Sequence, residues 1–147
     1  MQQFGEFFIN HWDLFLALFV TLGMLAYTAF GARLRGYTEV PPLEAVLLIN
    51  HEDAVLVDVR EDSEYATGHV QDSIHIPLGK FAGRMNELES YKARPVVVGC
   101  RSGHRSARAC AMLRKQGFER VYNLRGGILA WESASLPVSK GGKRKKK

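Results

Sequence analysis

Cysteine is scarce, with only Cys100 and Cys110 in 147 residues. Two cysteines cannot build a disulfide framework for a chain of this length, and their usage suits a reducing compartment. Their separation matches neither a redox Cys-x-x-Cys nor a zinc ligand set. Internal repeats are absent, which excludes a solenoid. A broad basic surface is missing too, although the net charge is +5. Six cations (Lys140, Lys143, Arg144, Lys145, Lys146 and Lys147) crowd the last eight residues. Without them the rest of the chain carries −1, so the domain offers no basic face for specific nucleic-acid binding.

One long apolar run is present. Leu14 to Ala32 is nineteen residues without a charge. At about 1.5 Å per residue it spans roughly 28 Å, close to a hydrocarbon core. Trp12 and Tyr37 flank it as candidate interfacial residues, with Tyr27 inside. Ala29-Phe30-Gly31 has the small-x-small pattern of a cleavage site, but a basic leading region is lacking and the run exceeds a signal peptide's core. The expectation is one transmembrane helix over 14–32, after a short extracytoplasmic segment, 1–13. Arg33 and Arg35 follow the run at once, which puts the N-terminus outside and the remainder in the cytoplasm of an inner-membrane protein. Gly23 and Gly31 lack the GxxxG spacing of a helix-pairing motif. A linker over 33–37 leads to a domain over 38–138, and residues 139–147 read as a disordered basic tail.

Within the domain, short apolar runs alternate with helical patterns. Tyr37–Val40, Ala54–Asp58, Ser73–Pro77, Pro95–Gly99 and Val121–Leu124 read as strands. Helices are expected from Pro41 or Pro42 to Asn50, over 61–68 with Asp62 or Ser63 as cap, and from Phe81 to Leu88. Two more follow, from Ala107 to Gln116 and from Ile128 to Glu132. Such alternation means an α/β fold whose parallel sheet is wrapped by helices, with the site beyond the strand C-termini. Trp131 and Leu136 are expected to cover one end of the core.

That is where Cys100 falls. The run Val96-Val97-Val98 ends in Gly99-Cys100, a polar loop follows (Arg101-Ser102-Gly103-His104-Arg105), and Ser106 opens the next helix. A helix N-terminus favours thiolate over thiol, Arg101 and Arg105 push the same way, and Gly103 lets the loop aim its N–H groups inward. The pattern points to a nucleophilic sulfur. Cys110, among Ala109, Ala111 and Met112, reads as core packing. Asp58, Arg60, Glu64 and His69 read as structural groups, and His104 as a source of polarity.

Three motifs carry a family resemblance: Asp58-Val59-Arg60 with Glu64-Tyr65, Gly68-His69-Val70 and Ile76-Pro77; the segment Cys100 to Ser106; and Gly126-Gly127-Ile128 with Ala130-Trp131 and Leu136-Pro137-Val138. In this order they resemble a single rhodanese domain, Ser135 standing where the family often has glycine. The resemblance implies a central, mainly parallel five-stranded sheet flanked by helices. It also implies sulfurtransferase chemistry, in which Cys100 takes the sulfane sulfur of a donor such as thiosulfate as a persulfide. A thiol, cyanide or a protein acceptor then receives it. Arg101, Ser102, Gly103, His104, Arg105 and Ser106 would form the substrate-binding loop, without metal or organic cofactor. Cysteine-dependent phosphatases on related folds use Cys-(x)5-Arg, whereas Arg105 gives Cys-(x)4-Arg, a tighter cradle suited to one sulfur atom. The competing expectation is a membrane-tethered docking module with little catalysis. Its tail would meet a membrane protein, anionic lipid or a ribosomal partner.

Overall fold

The computed structural model describes residues 11–34 and 36–141. They fall into two compact units, divided along the chain between residues 35 and 36. The first is a helix, α1 (Trp12–Leu34), whose apolar side chains from Leu14 to Phe30 are mostly exposed. Its window Trp12–Gly31 has a mean hydropathy of 2.0, so the helix is long and apolar enough to cross a membrane. It begins before the expected residue 14 and takes in Arg33, which belongs to the helix rather than to a linker.

The second unit is an α/β domain. Its elements are β1 (Thr38–Val40), α2 (Pro42–Glu52), β2 (Val55–Asp58), α3 (Asp62–Thr67), β3 (Ile74–His75) and α4 (Leu78–Arg84), continued by a 3-10 segment, Met85–Tyr91. Then come β4 (Val96–Gly99), α5 (His104–Lys115), β5 (Val121–Leu124) and α6 (Gly127–Ser133). All five strands are parallel, in the order β1-β5-β4-β2-β3. The central strands β2 and β4 are buried at every position, which explains why they are uninterrupted apolar runs instead of alternating ones. Val55, Val57, Val96 and Val98 face a layer containing Phe81, Leu88, Ala109 and Leu113. Leu56 and Val97 face the opposite layer, with Ala45, Leu48, Ile128 and Trp131, against which Leu136 packs. The sheet thus has two cores, one on each side.

Several boundaries differ from expectation for local reasons. Pro42 opens α2, as its fixed φ and missing N–H allow. Helix α3 is capped by Glu61 and not by Asp62 or Ser63, the Glu61 N–H donating to Glu64 Oε2 at 3.2 Å. Helix α5 starts at His104 because Gly103, at φ 101°, turns the chain three residues earlier than Ser106 could. The expected single helix over 81–88 is an α-turn segment passing into 3-10 geometry at Met85. Ser139 belongs to the domain rather than to a tail, since its N–H and carbonyl bond to those of His69 at 2.7 and 2.9 Å. Residues 142–147 lie outside the described residues, as do 1–10.

Candidate active site

Strand β4 sits in the middle of the sheet and delivers Cys100 to its C-terminal edge, where the chain turns through three loop residues into α5. Cys100 is 1% exposed. Burial pushes its thiol up, but the Ser106 hydroxyl and the N–H groups of Ser106, Gly103 and Ser102 outweigh that and hold it below the ordinary value. The Gly103 N–H donates to Sγ at 3.0 Å, and Ser106 Oγ lies 3.4 Å from it. Stabilisation of a thiolate therefore comes from converging donors. Of the expected contributions, the inward-aimed N–H groups at the helix start are the ones that reach the sulfur.

The two arginines have different situations. Arg105 makes a bidentate pair with Glu64, at 2.6 and 2.7 Å, so its charge is matched across the gap between α5 and α3. Arg101 is exposed and lines a cleft of about 400 Å³ with Ser63, Thr67, Leu129 and Glu132. His104 is exposed, its Nδ1 3.4 Å from Ser102 Oγ. A larger cavity of about 870 Å³ opens beside Val55, Tyr91 and Arg94, at the other end of the sheet, and Cys100 does not line it.

Groups that sequence reasoning treated as structural bear this out, with one addition. Arg60 is saturated by Asp58 (2.7 to 3.0 Å), the Gly68 carbonyl (2.7 Å) and the Glu64 carbonyl (3.2 Å). His69 Nδ1 is 3.0 Å from the Tyr65 carbonyl. Glu64 does more than hold a loop, because it grips the active-loop residue Arg105. Cys110 is buried, its thiol raised chiefly by burial, with Sγ 3.6 Å from the Tyr122 carbonyl. It is packing.

Asn123 escaped the sequence reading altogether, and Gly127 was read as a motif residue without its role at the loop. Asn123, buried at 2% exposure in β5, donates from Nδ2 to the Gly103 carbonyl at 3.1 Å, and its Oδ1 lies 2.6 Å from Ser106 Oγ, whose single proton goes either to that oxygen or to the Cys100 sulfur. It fastens both ends of the cradle, and the available signal was a polar residue inside an apolar strand. A Cβ at Gly127 would stand 2.3 Å from the Cys100 carbonyl oxygen, so only glycine lets α6 back onto the loop. The Ile128 N–H then bonds to the Cys100 carbonyl at 2.8 Å, and the Leu129 N–H to that of Arg101 at 3.2 Å.

The site is thus a buried thiol facing backbone donors at the end of a central parallel strand. The sequence model of the rhodanese-like domain matches residues 42–134. The chain belongs to that family. A "Sulfurtransferase" of Allochromatium vinosum is 47% identical over 91 residues, 62% of this chain and 83% of that protein. "Thiosulfate sulfurtransferase GlpE" of Actinobacillus pleuropneumoniae is 36% identical over 69% of this chain and 93% of its own length. The "Uncharacterized protein YibN" of Escherichia coli is 33% identical over 96% of this chain and 99% of its own, a match reaching beyond the rhodanese-like domain. Among solved structures, a rhodanese-related protein from Thermoplasma volcanium superposes with a TM-score of 0.62 at 30% identity, covering 71% of this chain and all of that one.

Proposed function

We propose that this rhodanese-like protein is a sulfurtransferase of the thiosulfate type, working through a persulfide on Cys100. The observation that carries the reading is the set of donors converging on the Cys100 sulfur. The Cys100 thiolate attacks the sulfane sulfur of thiosulfate. A sulfur–sulfur bond forms to Sγ, the bond to the sulfonate sulfur breaks, and sulfite leaves with that electron pair. The terminal persulfide sulfur inherits the negative charge, which the loop N–H groups of Arg101 to Ser106 are disposed to stabilise. Attack by a thiolate, by cyanide or by a protein cysteine then removes the outer sulfur and returns Cys100 as thiolate. Arg101, exposed at the cleft, meets the donor's sulfonate, while Arg105 shapes the loop through Glu64.

Helix α1 anchors the protein in the membrane, and the arginines after the apolar run favour a cytoplasmic domain. The YibN match over 96% of the chain supports the same pairing of segment and domain in a relative. Intact mass of the full chain, held in a neutral detergent and treated with thiosulfate, tests the catalytic reading. Expected are a gain of one sulfur that cyanide removes, its absence in Cys100→Ser and its persistence in Cys110→Ser. No gain in the wild-type chain would overturn it. Partition into membranes that resists alkaline extraction, with the domain digestible only from the cytoplasmic side, tests the anchor and its orientation.

A further inference from the structure

Helix α5 carries charge that the domain does not balance. Outside α5, the described residues Arg60, Arg84, Arg94, Arg120 and Arg125 pair with Asp58, Glu87, Asp53, Glu52 and Glu39, and on α5 Arg105 pairs with Glu64. Arg101, Arg108 and Lys115 pair with no carboxylate among the described residues. The helix itself, HRSARACAMLRK, contains no acid. Its buried face is Ser106, Ala109, Cys110 and Leu113. On the opposite face His104, Arg108, Ala111 and Lys115 recur at helical spacing, and His104, Arg108 and Lys115 are exposed. They make a stripe about 16 Å long that begins at the loop holding Cys100. The charge of −1 carried by the chain outside its last eight residues conceals this segregation.

Lys115 lies in the last turn, where a cation suits the helix macrodipole, so the strain of charge falls at the other end. Cations near an N-terminus oppose the macrodipole, whose positive end lies there. Arg105 is compensated by Glu64, but Arg108 has no such partner among the described residues. Exposed cations that no carboxylate among the described residues offsets suit an anionic partner from outside. An anionic membrane laid on this face would cover the loop and close the route by which sulfur leaves. An acidic polypeptide laid along α5 would instead bring a thiol to Arg101, beside the sulfur.

Building on the sulfurtransferase reading above, we propose that the outer face of α5, together with Arg101, docks an acidic, thiol-bearing protein segment that takes the sulfur. An extended segment of about five residues matches the stripe. The segment's thiolate attacks the outer persulfide sulfur and forms a new sulfur–sulfur bond. The bond to Sγ breaks, and Cys100 departs as thiolate, so charge balances without an added reductant.

The test loads the full chain with thiosulfate in neutral detergent and then follows discharge onto three synthetic peptides: Cys-Gly followed by five Glu, five Ser or five Lys. The readout is the ratio of second-order rates, Glu peptide over Ser peptide. At low salt this ratio should reach about five or more, and it should collapse at about 0.5 M salt, where the Debye length falls to a few ångströms. The double variant Arg108→Gln/Lys115→Gln should bring the ratio near one while loading by thiosulfate stays within about twofold. A chain ending at Gly141, without the basic tail, should keep the preference. A ratio untouched by the double variant, or lost only with the tail, overturns the proposal. So does protection of the persulfide by phosphatidylglycerol vesicles that the double variant relieves, which would assign the face to lipid. Failure of the loading step itself would instead refute the sulfurtransferase reading, so the two are separable.

Discussion

Replacing Gly127 by alanine should damage this protein far more than its one added methyl suggests. The residue sits at φ +59°, where an L side chain costs about 1–2 kcal/mol. Its Cβ would also lie 2.3 Å from the Cys100 carbonyl oxygen and 2.5 Å from Arg101 backbone atoms. Backbone cannot swing aside as a side chain can, so α6 must retreat by about 1 Å to restore van der Waals contact. That movement breaks the Ile128 and Leu129 hydrogen bonds to the loop carbonyls, each worth about 1 kcal/mol net. The expected loss is about 3–5 kcal/mol, a large share of the 5–15 typical of a domain. Gly117→Ala is the control, because φ is +87° there but nothing lies within 4 Å of the added carbon. It should cost only the backbone contribution, about 1–2 kcal/mol. Urea titration followed by fluorescence, with buried Trp131 as reporter, measures both. The thiosulfate loading rate at zero urea should fall in Gly127→Ala and hold in Gly117→Ala. Equal midpoint shifts in the two variants would refute the claim that the α6 N-terminus is wedged beneath the loop.

Ser106→Ala removes the hydroxyl that does most to lower the Cys100 thiol pKa, so the pH profile of iodoacetamide alkylation should move to higher pH; an unmoved profile would exclude the serine. Cys110 should resist alkylation until the protein unfolds, because burial keeps its thiol protonated. The Arg105 hydrogen bonds hold the Glu64 carboxyl at about 2 instead of 4.5, so the unfolded chain binds the extra proton between those values and acid weakens the fold across that window. Glu64→Gln should flatten that part of the stability–pH curve while lowering stability near neutrality. Asp58→Asn leaves the buried Arg60 uncompensated and should cost about 3–5 kcal/mol by denaturant titration, with little added effect on Cys100 reactivity in the fraction that stays folded.

What the sequence reveals and what it hides follow from the range of the interactions. β5 is legible to the residue because Val121–Leu124 is a compact apolar run stopped by glycines, and the Cys100 loop because strand, glycine and helix signals are contiguous. The helix starts are less legible: Glu61 and Gly103 decide them through backbone geometry that residue preferences only approximate. The remaining site features depend on long-range contacts. Arg105 meets Glu64 across 41 positions, and Asn123 meets Ser106 across 17. No local pattern signals either pairing. The Gly126-Gly127 motif shows that glycine is needed, but only the approach of α6 to the Cys100 carbonyl says what would be struck by anything larger.

The strand order has a consequence for how the protein is made. β1 opens the domain, yet it hydrogen-bonds only to β5, which is translated nearly last, and the loop around Cys100 is backed by α6, later still. Folding is therefore governed by contacts between the two ends of the domain, the slow kind because loop closure precedes the gain. A nascent chain that stops before Ile128 already holds Ser106 and Asn123 but lacks the N–H groups that brace the Cys100 and Arg101 carbonyls. The donors to the sulfur lie within six residues of Cys100, so what synthesis adds last is the bracing of their loop, complete only when α6 has been made.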